Sequence, residues 1–213
     1  MRVRLVFCNI FCFVFVSLSG KQHVLFSPDD NISEKLITTI NNTKKNIYAA
    51  IYMFTDKKIA LALIEAKNQR GVDVQVITDQ SCLESKFGKV DMLKNGKIDI
   101  FVYKNNLKNK KRASKLMHNK FAIFDNEVCT GSFNWTIQAN KRNKENLIFI
   151  DDQNIYKKYC DQFELLKKKC MRQAMYVMAK KRTNVDLIQD KTRDLKDNLV
   201  DLFKNIKEKL SNK

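Results

Sequence analysis

The side chains able to do chemistry concentrate between Met117 and Asn146, which reads MHNKFAIFDNEVCTGSFNWTIQANKRNKEN. His118 and Lys120 are two residues apart, so on an extended strand their side chains point to one face. Ser132 and Asn134 are also two apart, where a strand gives way to a helix, and Glu145 opens the next strand. The set comprises a nitrogen nucleophile, a fixed positive charge, a hydroxyl, a carboxamide and a carboxylate. No cluster of carboxylates accompanies them to hold a metal ion. That inventory suits a phosphodiester handled without Mg²⁺, which needs a nucleophile, fixed positive charge and neutral donors for the phosphate oxygens.

Alternating strands and helices must position these groups. Val24–Ser27 predicts a short strand, and Ser27-Pro28-Asp29-Asp30 a turn and helix start. Ile32, Leu36, Ile37 and Ile40 follow at helical spacing. Ile47–Phe54 and Val72–Thr78 are apolar on both faces, as buried strands are, with Asp79 at the carboxyl end of the second. Between them Thr55 is expected to cap a helix that carries Ile59, Leu63 and Ala66 and stops at Gly71. A further helix is expected from about Ser85 to Asn95-Gly96, then a strand at Ile98–Tyr103. Lys120–Phe124, Val128–Gly131 and Leu147–Ile150 read as strands, with a short helix from about Asn134. The fold class is therefore α/β: a mixed sheet of about seven strands flanked by helices. Ile155, Tyr159, Phe163, Leu166 and Cys170 then mark one long amphipathic helix, and Leu195, Leu199, Leu202, Ile206 and Leu210 a second stripe. Either stripe packs against the sheet or serves dimerisation or surface binding.

The pattern His-x-Lys-x₄-Asp, then Gly-Ser-x-Asn, then Glu-Asn, carried by His118, Lys120, Asp125, Gly131, Ser132, Asn134 and Glu145, resembles the phospholipase D superfamily. The resemblance covers roughly residues 24–168 and takes in the FSP turn and the IYMFTD, QRGVDVQVITD and TGSFNWT segments. In pattern the chain is similar to the short, single-motif members, the bacterial secreted endonucleases and the mitochondrial cardiolipin hydrolase/Zucchini group. The resemblance implies that His118 forms a covalent phosphohistidine, and that a second His118 from another copy protonates the leaving oxygen and activates water. It implies that Lys120, Ser132 and Asn134 bind the phosphate oxygens and that Glu145 holds the histidine ring in its working tautomer. Asp125 points away from the His/Lys face at this spacing and is expected to support the loop by hydrogen bonding. Because the chain has one motif and no second histidine in comparable context, the two-histidine mechanism requires a homodimer with its site on the two-fold axis. The zinc-binding insertion of Zucchini-type members has no counterpart after Pro28, so neither metal nor other cofactor is expected.

Composition bounds the partners. The 213 residues carry 40 Lys+Arg against 23 Asp+Glu, a formal charge of +17, which favours a polyanion: nucleic acid or anionic phospholipid. One Pro and five Gly exclude collagen-like and linker classes. Lys104, Lys108, Lys110, Lys111, Arg112 and Lys115 form an acid-free run leading to His118, and Lys167–Arg182 form another. These runs either follow a phosphate backbone or are solvated faces. Arg2, Arg4, the apolar run Leu5–Val16 and Ser17-Leu18-Ser19-Gly20 have the layout of a signal peptide over residues 1–19, with an uncleaved membrane anchor as the alternative. A catalytic domain is expected over 20–168 and a basic helical extension over 169–213, in a protein that is secreted, periplasmic or envelope-associated, or else membrane-anchored. Cys82, Cys129, Cys160 and Cys170 fit no zinc spacing and are expected to be thiols, a Cys82–Cys129 disulfide being the alternative. Two enzymatic readings stand at this stage. One is an endonuclease of low sequence specificity on DNA or RNA; the other is a phospholipase D that hydrolyses phosphatidylcholine or cardiolipin to phosphatidic acid. An inactive nucleic-acid-binding scaffold is disfavoured because every reactive position is intact.

Overall fold

The computed structural model describes residues 22–104, 115–171 and Thr192. The leader, the basic residues Lys108, Lys110, Lys111 and Arg112, and the Leu195–Leu210 stripe lie outside the described residues. Seven strands form one sheet: β1 (Gln22–Ser27), β2 (Asn46–Ile51), β3 (Asp73–Asp79), β4 (Asp99–Tyr103), β5 (Lys120–Phe124), β6 (Glu127–Gly131) and β7 (Glu145–Ile150). Their spatial order is β1-β7-β6-β5-β2-β3-β4. β2, β3 and β4 run parallel, while β1, β7, β6, β5 and β2 pair antiparallel. The carboxyl ends of β2, β3 and β6 and the amino ends of β5 and β7 therefore meet along one rim. Ligands of open α/β sheets bind outside such a rim of strand ends.

Each face of the sheet has its own core. On one face α1 (Ile32–Asn42) buries Ile32, Leu36 and Ile40, and α2 (Lys57–Arg70) buries Ile59, Leu63 and Ala66, the residues whose spacing marked them. On the other face one helix over residues 153–171, α6, lays Phe163, Leu166 and Cys170 against Ala50, Ile77, Phe121, Ile123 and Val128. Tyr48 stacks on Phe163 with ring centroids 5.2 Å apart. The described part of the first amphipathic stripe thus packs on the sheet, and its helix runs unbroken past Lys168.

Several boundaries differ from the sequence reading. β2 ends at Ile51 rather than Phe54, because the Tyr52 N–H turns to the Asn119 carbonyl and Phe54 bridges Trp135. Asp56, not Thr55, caps α2; its carboxylate accepts the N–H groups of Lys58 and Ile59. The helix expected from Ser85 is two short ones, α3 (Gln80–Glu84), capped by Asp79, and α4 (Val90–Asn95). They are split where Gly88 presses on the Cys82 carbonyl so closely that no side chain would fit. α5 (Ile137–Lys141) begins three residues after Asn134, with Thr136 as its cap. Cys82 and Cys129 are both buried free thiols, so the alternative disulfide does not form. Cys82 Sγ meets the Phe54 backbone, and burial pushes the Cys129 thiol up to about 12.

Candidate active site

β5 begins at Lys120, and His118 sits in the extended segment just before it, so the two-apart spacing still brings the side chains together. Lys120 Nζ lies 3.2 Å from His118 Nδ1 and 3.4 Å from Nε2, and donates to the His118 carbonyl at 2.9 Å. The histidine ring rests against Tyr52, with centroids 4.4 Å apart and planes at 54°. The Lys120 ammonium stands 5.3 Å from the same Tyr52 ring. Tyr52 follows the last residue of β2, so the rim itself supplies a wall that fixes both groups.

Glu145 opens β7 on the same rim. Its carboxylate is gripped twice: Ser132 Oγ donates to Oε2 at 2.6 Å and Asn143 Nδ2 to Oε1 at 2.9 Å. Ser132 also accepts the Asn146 N–H at 3.1 Å. Gly131 makes this grip attainable, since a side chain there would collide with the Asn146 carbonyl that receives the Ser132 and Phe133 N–H groups. Asn134 accepts the Met53 N–H at 3.3 Å, tying the Ser132–Asn134 turn to the segment after Tyr52. Burial holds the Lys120 ammonium below its ordinary range, and the negative charge of Glu145 opposes that shift. His118, Lys120, Ser132, Asn134 and Glu145 thus share one rim, while Glu145 spends its described hydrogen bonds on Ser132 and Asn143 and the His118 ring leans on Tyr52.

Asp125 is elsewhere, at the far end of β5. It has a left-handed backbone (φ 44°) and accepts the N–H groups of Lys44, Lys45 and Asn46 at 2.8, 2.8 and 3.0 Å. Burial raises its carboxyl, but those three donors outweigh it and leave the group below the usual carboxylate range. Among the described residues no group of three or more His, Cys, Asp and Glu side chains comes together in a metal-ligating cluster, and no helix is long and apolar enough to cross a membrane.

Three positioning residues lay outside the reading of the sequence's reactive groups. Tyr52 and Asn143 are two; the third is Asp79, whose Oδ2 accepts the Met117 N–H at 3.0 Å and so holds the residue before His118. Asn143 is itself anchored, because buried Ser27 donates to its carbonyl at 3.1 Å. A cleft of about 430 Å³ opens beside these groups, lined by Tyr52, Asn134, Asn143, Phe87 and Ile137 among others.

Residues 36–167 match the family described as cardiolipin synthase, PLD-like domain. The chain belongs to the phospholipase D-like family. With it the chain joins that superfamily's phosphodiester hydrolases, and its relatives include proteins named phospholipase D and mitochondrial cardiolipin hydrolase. A phospholipase D of Rickettsia felis is 36% identical over 143 residues, 67% of either chain. The mitochondrial cardiolipin hydrolase of Xenopus tropicalis is 30% identical over 138 residues, 64% of this chain and 61% of the relative. The chain thus spans about two thirds of the length of the curated relatives it matches. Among solved phospholipase D-like structures, Nuc of Salmonella typhimurium superposes with a TM-score of 0.62 at 27% identity, over 70% of this chain and 95% of that one. NucT of Helicobacter pylori gives 0.64 at 26%, over 70% and 97%.

Proposed function

We propose that this phospholipase D-like protein cuts nucleic-acid phosphodiesters through a covalent phosphohistidine on His118, as a homodimer. The observation that carries the chemistry is the shared rim that holds Lys120, Ser132, Asn134 and Glu145 together with a histidine set against Lys120 and Tyr52. A ring nitrogen of His118 attacks phosphorus, and the bond from phosphorus to the leaving oxygen breaks as the partner's His118 gives that oxygen a proton. The partner's His118 then takes a proton from water, whose oxygen attacks phosphorus and breaks the phosphorus–nitrogen bond. Lys120 and Asn134 stabilise the charge that builds on the non-bridging oxygens. Ser132 joins them by turning its hydrogen from Glu145 toward phosphate. Glu145 keeps the ammonium of Lys120 charged and presents the hydroxyl of Ser132.

Net charge supports nucleic acid as the substrate: +17 overall, with six basic residues between Lys104 and Lys115 leading to His118. Phospholipid remains the second reading, supported by relatives named phospholipase D and cardiolipin hydrolase. The signal-like layout of residues 1–19 supports a secreted or envelope-associated location, or attachment to a membrane through that segment. Purified full chain is incubated in EDTA with plasmid, RNA, phosphatidylcholine vesicles and cardiolipin vesicles. Nicked plasmid or cleaved RNA is the expected product. Headgroup release without any strand cleavage would overturn the nucleic-acid assignment, and activity that EDTA abolishes and Mg²⁺ restores would overturn the metal-free one.

A further inference from the structure

Phe87 is the most conspicuous apolar group at the mouth of the cleft. It is 62% exposed, as is Ile137, and both line the cleft that contains Tyr52 and Asn134. Phe87 is also held in place. The turn that carries it closes through Gly88 N–H to the Ser85 carbonyl at 2.9 Å and through Phe87 N–H to Ser85 Oγ at 3.3 Å. Its exit is tied to the core by Lys89 N–H donating to the Phe54 carbonyl at 3.0 Å, two residues after Tyr52. The packing of Gly88 on the Cys82 carbonyl fixes the turn against α3.

One face of the ring carries a cation, Lys86 Nζ standing over it 4.9 Å from the centroid, which leaves the other face for a ligand; Lys89 Nζ donates to the Phe87 carbonyl at 2.9 Å. An aromatic face with ammonium groups beside it is the arrangement that binds single-stranded nucleic acid, the ring stacking on a base and the cations meeting the backbone. An acyl chain would gain the apolar contact but has no charge to offer these lysines. A base inside a duplex is already stacked on its neighbours, so a ring of this kind is usable only by an unpaired one.

We infer that Phe87 is a stacking platform for a base next to the scissile phosphate, which gives the enzyme a preference for single strands without sequence readout. This inference rests on the nucleic-acid reading above.

The test compares an oligothymidylate with a stable abasic strand of the same length, which keeps every phosphate and lacks every base. The wild-type chain is expected to cleave the first with the higher kcat/KM, and Phe87→Ala to shrink that preference by roughly 5- to 150-fold, the worth of one stacked base. Phe87→Trp should retain it. Removal of an exposed ring leaves no cavity, and circular dichroism and the melting temperature confirm that each variant is folded. An unchanged preference in Phe87→Ala, while wild type still cuts the oligothymidylate, overturns the stacking role alone. Phe87→Ala running as a monomer where wild type is a dimer overturns it too, by assigning the ring to contact between copies. Wild type that cleaves neither strand but releases headgroups from phosphatidylcholine vesicles overturns both this inference and the nucleic-acid reading.

Discussion

The carboxylate of Asp79 accepts the backbone N–H of Met117 at 3.0 Å, so the end of β3 holds the residue that precedes the candidate nucleophile His118. The same carboxylate accepts the N–H and hydroxyl of Ser81 at 2.9 and 2.7 Å through its other oxygen, which caps α3. One fully buried side chain thereby sets both a helix start and the approach to the reactive segment.

Asp79→Asn tests that dual role. The amide keeps an oxygen for Ser81 but turns a donor toward the Met117 N–H, which leaves two buried donors facing each other. Loss of such a bond costs about 1–3 kcal/mol. Displacement of a reacting group by a small distance lowers turnover by up to about 10²-fold. We expect a lower melting temperature and a fall in kcat on a small phosphodiester larger than the change in KM. A variant that loses stability but keeps full kcat would show that Met117 does not need this tether.

Glu145 has an electrostatic consequence for Lys120. Burial lowers the lysine from its ordinary 10.5 and the carboxylate raises it. Glu145→Gln removes the charge and keeps an acceptor for Ser132, so the Lys120 value falls further. The loss of kcat/KM at alkaline pH, where Lys120 gives up its proton, should therefore begin at lower pH in the variant. An alkaline limb that stays in place would separate Glu145 from Lys120.

A site that needs two copies of His118 predicts a quadratic response to mixing. When wild-type and His118→Asn subunits are co-refolded at varying proportions, activity should fall as the square of the wild-type fraction, since only wild-type pairs hold both histidines. A linear fall would mean that one chain suffices.

Much of this architecture was legible in the residues. The strands β3, β5 and β7 and the helices α1 and α2 announced themselves because each buries its apolar face, and burial is what spacing encodes. His118, Lys120, Ser132, Asn134 and Glu145 stood out because their types are costly to place together without a use. The break in the helix expected between Ser85 and Asn95 escapes apolar spacing, which does not register that Gly88 must touch the Cys82 carbonyl. Tyr52, Asn143 and Phe87 were passed over for a related reason. Tyr52 reads as the continuation of an apolar strand, Asn143 as one polar residue among many, and the exposure of Phe87 follows from a turn that local spacing does not reveal. The only available signals were the two-residue offset from Asn143 to Glu145 and the place of Tyr52 at the end of a buried strand. Asp79 was visible as a strand-terminal acid, but its partner is 38 residues away and no local pattern names it.

The covalent step can be observed directly. The full chain in EDTA is mixed with a phosphodiester substrate, quenched in alkali within the first turnover, and mapped by peptide mass spectrometry. The expected adduct is a phosphoramidate that joins the retained half of the substrate to a ring nitrogen of His118, stable in alkali, lost in acid and missing in His118→Asn. An adduct on any other residue, or rapid turnover with no adduct on His118, would contradict the phosphohistidine mechanism.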